Sequence, residues 1–301
     1  MSKRIVAVAC TLACVALWAL IPVVAKTGQR GLDNHQFLFW SSLVSFLAFA
    51  VTAGLGGKLP RLARYRARDW AVMAGLGLLG TYLYYILLYF GYARSRGLEV
   101  LVLQYSWPIL IIVLSAPILR ERITVRRAIA CAFGFAGVAI VLSKGNLAGI
   151  RLDDAGVDAL VLLGALSFAL FSVLSKKSDF EPITMNAIFF LVATVASFIS
   201  MTFASGFALP PASAILPILV NGLLVNGFSY LLWVWALRNA DASFIAPFVF
   251  LTPVLAAGYL VVFFGEPIVP AYAVGLVLVI AAGAVNSFFL DSGARADRKL
   301  R

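Results

Sequence analysis

The stretch Trp18-Ala19-Leu20-Ile21-Pro22-Val23-Val24-Ala25-Lys26 and its later partner Phe168-Ala169-Leu170-Phe171-Ser172-Val173-Leu174-Ser175-Lys176 decide the reading of this chain. Ala19, Leu20, Val23 and Lys26 recur as Ala169, Leu170, Val173 and Lys176, at an offset of 150 residues. A second register, at 145, carries Gly77, Tyr85, Leu87, Pro108, Glu121 and Ile123 onto Gly222, Tyr230, Leu232, Pro253, Glu266 and Ile268. One such match means little. A register held through two apolar runs and the loop after them marks an internal duplication.

The surrounding sequence says what is duplicated. Apolar runs lie near 5–25, 37–54, 70–92, 98–119, 128–142, 157–175, 184–203, 215–237, 242–264 and 271–290. Most approach the ~20 residues needed to cross about 30 Å of hydrocarbon. The chain is 62% hydrophobic and 12% charged, where a soluble domain has about a quarter of its residues charged. The first run reads as a span and not as a cleaved signal, because it is too long and has a counterpart in mid-chain. The expected fold is therefore an all-α membrane protein of ten transmembrane helices. It forms one membrane domain of two repeats, 1–150 and 151–301. Each repeat holds an odd number of spans, so the second enters the bilayer inverted.

The formal charge of +11 lies in short loops and at the termini, which argues against a nucleic-acid partner and reads as orientation. With the amino terminus in the cytoplasm, 18 of the 24 basic residues fall on that side, leaving Lys26, Arg30, Arg94, Arg96, Lys144 and Arg151 opposite. Both termini are thus expected in the cytoplasm, in an inner (plasma) membrane with lipid as the surrounding partner. The oligomeric state is open, and a monomer suffices for this reading. Cys10, Cys14 and Cys131 lie inside apolar runs without metal or disulfide spacing and read as packing residues, so no metal or cofactor is expected.

The segment Trp18 to Lys26, with two Pro-containing spans each closing on a Glu (Trp107-Pro108 to Glu121, and Thr252-Pro253 to Glu266), resembles the drug/metabolite transporter superfamily. The likeness is to its ten-span exporter type with two repeated domains, and within it to the aromatic amino-acid exporters. Phe168 departs from the pattern, standing where the repeat would place a second Trp. The resemblance implies export of small metabolites, amino acids and aromatic compounds among them, through a cavity lined by spans 1, 3, 4, 6, 8 and 9.

The residues point the same way. Inverted repeats place a shared site near the midplane and let the halves rock around it, which is alternating access. Pro108 and Pro253 each remove a donor in mid-span, so a kink or gate is expected at both, unless neighbouring groups simply satisfy the freed carbonyls. Tyr82, Tyr85 and Tyr89 share a stripe on span 3 at helical spacing. Tyr105 and Trp107 flank Gln104 and Pro108 on span 4, Tyr230 and Trp233 extend a similar face on span 8, and Trp18, Phe168 and Phe171 supply spans 1 and 6. Tyr65, Trp70, Tyr92 and Trp235 read as interfacial belt residues. A buried phenol or indole requires a partner, so the inner aromatics are either packed on polar neighbours or wetted by a cavity. Gln104 and Asn226 are costly in hydrocarbon and are candidate ligands for a zwitterion, or helix-to-helix bonds; Asn221, Thr252 and Ser106 are the other polar groups near the midplane.

Every carboxylate lies near a span end or in a loop. A proton relay in mid-membrane is thus absent, and facilitated transport is expected, with proton antiport or export of drugs as the alternative. Lys26 and Lys176 read mainly as snorkelling lysines, and Glu121 and Glu266 as carboxylates that pair with a base or cap a helix. His35 reads as a loop residue, and Gly75, Gly77, Gly80, Gly134 and Gly137 as packing positions. No constellation of an intramembrane enzyme and no filter loop of a channel is found; a non-transporting membrane subunit of the same fold stays open.

Overall fold

Within hydrocarbon each backbone N–H and C=O must be satisfied inside its own segment, so long apolar runs become helices. The computed structural model describes residues 3–94, 97–150 and 154–287, and among the described residues every regular element is helical. Among the described residues nine helices are long and apolar enough to cross a membrane: α1 (Lys3–Gly28), α2 (Asn34–Leu55), α3 (Ala67–Leu88), α4 (Val100–Leu119), α5 (Val125–Leu142), α6 (Ala155–Lys177), α7 (Pro182–Ala204), α8 (Ala212–Asn239) and α9 (Ala242–Phe264). A shorter apolar helix, α10 (Pro270–Asn286), follows. The expected tenth run extended to residue 290, and its last residues lie outside the described ones.

Loop residues start several of these helices. Asp33 accepts from the N–H groups of His35 (2.7 Å) and Gln36 (3.0 Å), while the Gln36 side chain accepts from the N–H of Asp33 (3.0 Å). This reciprocal cap satisfies donors that an unaided helix start leaves open. Asp154 caps α6 and Glu181 caps α7 in the same spirit.

Five of the spans are irregular, each with a local cause or counterpart. In α1 the helix runs from Lys3 to Trp18, breaks, and resumes over Ile21–Gly28, because Pro22 has no N–H for the carbonyl of Trp18. The corresponding position in α6 is Ser172, and α6 is unbroken. Wider π turns interrupt α3 over Leu78–Leu83 and α8 over Asn221–Phe228. One helical segment ends at Gln104 and the next begins at Trp107, with Pro108 in its first turn. In α9 the backbone tightens to a 3-10 helix over Ala246–Phe250 and becomes α-helical from Leu251, with Pro253 in its first turn. Past the ends of α4 and α9, Arg120 (φ 58°) and Gly265 (φ 65°) both take the left-handed conformation.

The helices α2 and α7 pack along each other, as do α5 and α10, and α6 lies against α3 and α4 while α1 lies along the end of α8. Close approach decides which glycines matter. A Cβ on Gly77 would sit 2.7 Å from the Phe189 Cα, and one on Gly222 would sit 2.8 Å from the Ser41 carbonyl oxygen. Both are backbone-to-helix contacts that only glycine permits. Gly75, expected to pack, has nothing within 4 Å of its Cβ position and has no such role.

Candidate functional site

The break after Trp18 leaves that indole at the centre of the bundle. Its ring centroid lies 5.4 Å from that of Trp233, 5.9 Å from Trp107, 6.0 Å from Phe168 and 6.4 Å from Tyr230. Trp107 and Phe168 are 4.9 Å apart at 69°, an edge-to-face arrangement that the ring quadrupoles favour. Polar tips are satisfied within the protein. The Trp18 indole donates to Ser229 Oγ (2.8 Å), the Trp233 indole to Ser172 Oγ (3.1 Å) and the Tyr230 hydroxyl to the Gly80 carbonyl (3.0 Å). Ser229 donates onward to the Val225 carbonyl, and Ser172 to that of Phe168 (2.9 Å). For these three aromatics, packing on polar neighbours is therefore the outcome.

A cavity of about 40 Å³ lies beside this cluster, lined by Trp18, Ile21, Tyr84, Tyr85, Gln104, Tyr105, Trp107, Phe168, Tyr230, Val249 and Thr252. A volume of that size admits a few waters at most, too little for an amino acid. Seven of the expected residues meet here: Trp18, Tyr85, Gln104, Tyr105, Trp107, Phe168 and Tyr230. Trp233 and Phe171 are fully buried behind the lining, Asn226 is buried on the π turn of α8, and Tyr82 is half-buried away from it. The side chain of Tyr89 lies outside the described residues. Pro108 and Pro253 sit just past the breaks in α4 and α9, one residue after the lining residues Trp107 and Thr252.

Tyr84, Ile21 and Val249 join the lining without having been expected. The π turn at Leu78–Leu83 inserts extra backbone into α3, so Tyr82, inside the turn, is rotated off the face that Tyr85 presents to the cavity. Two adjacent residues, Tyr84 and Tyr85, reach the cavity instead. Thr252 is 4% exposed, and its hydroxyl oxygen has no hydrogen-bond partner among the described residues.

Ion pairs close both ends of the bundle. At one end, Lys176 Nζ lies 2.6 Å from Glu121 Oε1, with only 17% and 7% of the two side chains exposed. Glu121 also accepts from the N–H groups of Ala242 (2.9 Å) and Ser243 (3.0 Å) and from the Ser243 hydroxyl (2.6 Å), and Lys176 donates to the Ala240 carbonyl (2.7 Å). Burial alone would push the Glu121 carboxyl up; Lys176, Ser243 and the two N–H groups outweigh it and hold the group below the ordinary carboxylate range. Arg127 adds a 2.6 Å bridge to Asp241. At the other end Lys26 lies 3.4 Å and Lys144 3.7 Å from Glu266, with both lysine side chains about half exposed. The expectation of a snorkelling lysine is corrected for Lys176, whereas Lys26 stays half exposed at its span end beside Glu266. Each finds a carboxylate far along the chain, and Lys176 is withdrawn from solvent to do so.

A profile of the EamA-like transporter family matches residues 5–143 and again 156–288. An uncharacterized transporter of Archaeoglobus fulgidus is 25% identical over 247 residues, covering 80% of this chain and 83% of that protein. The uncharacterized transporter YoaV of Bacillus subtilis is 26% identical over 293 residues (90% and 93%). A probable terminal-alkyne amino-acid exporter of Streptantibioticus cattleyicolor is 27% identical over 281 residues (88% and 91%). A crystal structure of a protein 20% identical in sequence superposes with a TM-score of 0.82 over 94% of this chain and 97% of its own, which fixes a shared fold. The three sequence relatives are named as transporters. With nine membrane-length helices among the described residues, six of them lining an aromatic cavity, and a profile matched over both halves of its length, the chain is an integral membrane protein that belongs to the EamA-like transporter family of the drug/metabolite transporter superfamily.

Proposed function

We propose that this transporter exports amino acids and related small metabolites, aromatic ones included, by alternating access between two inverted five-helix halves, 1–150 and 151–301. The observation that carries the reading is the pair of end contacts. Lys26–Glu266 and Lys176–Glu121 join residues that the internal offsets interchange, since Lys26 corresponds to Lys176 and Glu121 to Glu266. One contact is thus made twice, once at each end of the bundle, with the cavity between. A carrier needs such a pair, so that one end stays shut while the other opens. The π turns, the helix starts that carry Pro108 and Pro253, and the left-handed residues Arg120 and Gly265 recur at offsets of 143 to 145, which further supports two copies of one unit.

The substrate class rests on the lining. Aromatic rings with a few polar groups suit an aromatic or apolar side chain and fix its polar end with a hydroxyl or amide. The amino-acid exporter among the relatives is in keeping with this. The cavity lining carries no carboxylate and no histidine, which favours movement down the substrate gradient. The basic end, sealed by Glu121, is the cytoplasmic one on the positive-inside rule, with both termini there in the inner membrane.

Counterflow into proteoliposomes holding the purified chain alone tests the proposal, using a panel of amino acids, nucleosides and cationic drugs. Accumulation of aromatic amino acids that withstands a protonophore is expected. Failure of every solute to exchange would refute carrier function, and collapse with the protonophore at a constant substrate gradient would refute the facilitative part. Tags placed after residues 150 and 301 are expected on opposite faces of the membrane; a common face would sink the inverted arrangement.

A further inference from the structure

A second cavity, of about 200 Å³, lies away from the centre, between α2, α3 and α7. Phe46, Ala53, Leu62, Trp70, Ile188 and Leu191 are among its walls. Its one hydroxyl-bearing residue, Thr184, spends that group on the Glu181 carbonyl (3.1 Å). The roof is the 3-10 turn Leu59–Arg64, which leads from α2 to α3. Lys58 bridges to Glu181 (2.7 Å) before this turn, and the Glu181 N–H donates to the Tyr65 hydroxyl (3.1 Å) after it. The segment is therefore pinned over the start of α7 at both ends. Beyond it Arg64, Arg66 and Arg68 are exposed and make no ion pair among the described residues.

An apolar void of this size gives water no partners, and left empty it forfeits dispersion contacts along every wall. The solvent at this depth is lipid. A hydrocarbon chain fills the cleft, and three exposed arginines without an ion pair among the described residues, on the turn that roofs it and at the start of α3, select a headgroup of net negative charge over a zwitterionic one. We propose that the cleft holds an acyl chain of an anionic phospholipid from the leaflet at the basic end of the bundle, with Arg64, Arg66 and Arg68 on its phosphate. The proposal is independent of the transport cycle and of what the central cavity carries.

Native mass spectrometry of the purified full chain in detergent tests this, with palmitoyl-oleoyl phosphatidylglycerol and the matching phosphatidylcholine as probes. Each arginine near an anionic headgroup is worth about fivefold in binding, so the glycerol lipid is expected to bind about tenfold or more tighter. The combined variant Arg64→Gln, Arg66→Gln, Arg68→Gln is expected to lose that preference. Ala53→Leu, which narrows the cleft, is expected to weaken long-chain binding. Dihexanoyl phosphatidylglycerol, whose tails are too short to fill the cleft, tests the same point on the unaltered chain and is expected to bind weakly. Equal affinity for the two long-chain lipids, a preference that survives in the arginine variant, or short-chain binding as tight as long-chain binding would each overturn the proposal.

Discussion

Replacing Glu121 by Gln is the most informative perturbation of the proposed cycle. The carboxylate is 7% exposed and accepts four hydrogen bonds between 2.6 and 3.0 Å, one of them from Lys176, itself 17% exposed. Breaking such a buried pair from one side costs about 3–5 kcal/mol, because the remaining charge is left uncompensated. Glutamine keeps an acceptor oxygen for one of the two N–H groups, which bond separate carboxylate oxygens, and Lys176 keeps its bond to the Ala240 carbonyl, so a loss near about 2–3 kcal/mol is expected. That corresponds to a shift of about 30- to 150-fold toward the state open at the basic end. Glu266→Gln removes a contact at 3.4 and 3.7 Å whose lysines are about half exposed, worth about 0–1 kcal/mol and so at most about fivefold. The assay is maleimide labelling of a cysteine placed at Ala240 in a chain with Cys10, Cys14 and Cys131 replaced by Ala. Labelling from the basic side is expected to rise about tenfold or more for Glu121→Gln and to change little for Glu266→Gln. Equal responses of the two variants would refute the latch reasoning, as would unchanged labelling in the first.

The same latch predicts a pH dependence. The folded Glu121 carboxyl sits below its ordinary 4.5, so its contribution is present above that value and lost as pH falls through the folded one. The difference in thermal stability between the native chain and Glu121→Gln is expected to be constant from neutral pH down to mild acid and to shrink below the ordinary value; a difference that grows in acid contradicts the assignment. Arg120→Gly relieves a left-handed residue at φ 58° and is expected to raise stability by about 0.5–1 kcal/mol in a detergent unfolding assay, whereas Gly265→Ala, at φ 65°, is expected to lower it by about 1 kcal/mol. Gly77→Ala drives a Cβ toward the Phe189 backbone and is expected to cost about 1–3 kcal/mol, against little change for Gly75→Ala, which meets open space. Thr252→Val removes a buried hydroxyl without a partner among the described residues, so stability is expected to hold or rise while counterflow falls; unchanged counterflow would remove Thr252 from the substrate path.

Most spans were legible because hydropathy over about 20 residues is set by the bilayer and by nothing tertiary. Their interruptions were legible only in part. Pro108 and Pro253 announce themselves, whereas Leu78-Leu79-Gly80-Thr81 carries no residue that marks a π turn, so the place of Tyr82 off the cavity is not legible in the sequence. Pro22 stands inside the quoted motif and breaks α1, while Ser172 at the matching position leaves α6 continuous, so the repeat does not carry this break. The charged residues at the ends were visible, but their pairing is not local. Lys176 meets Glu121 across 55 residues and Lys26 meets Glu266 across 240, and no helical period links such positions. The size of the cavity belongs to one conformation, so composition has no access to it.

On the two-half reading, identical halves would close both ends with equal energy, and the state populated would be left to the membrane and the substrate. The bias must then reside where the halves differ. Trp18 donates to Ser229 across α1 and α8, a bond that Phe168, its counterpart, has no N–H to repeat. Ser172 accepts from Trp233, a role that Pro22, its counterpart, lacks the hydroxyl to fill, and Pro22 breaks α1 instead. Both hydrogen bonds draw α1, α6 and α8 together around the closed aromatic cluster, in the same state that buries the Glu121 latch. Of these positions Pro22 and Ser172 lie off the cavity lining, so substitutions that make those two alike are expected to change which end is shut while leaving the groups that face the solute in place, which is where the energetics of the cycle separate from its specificity.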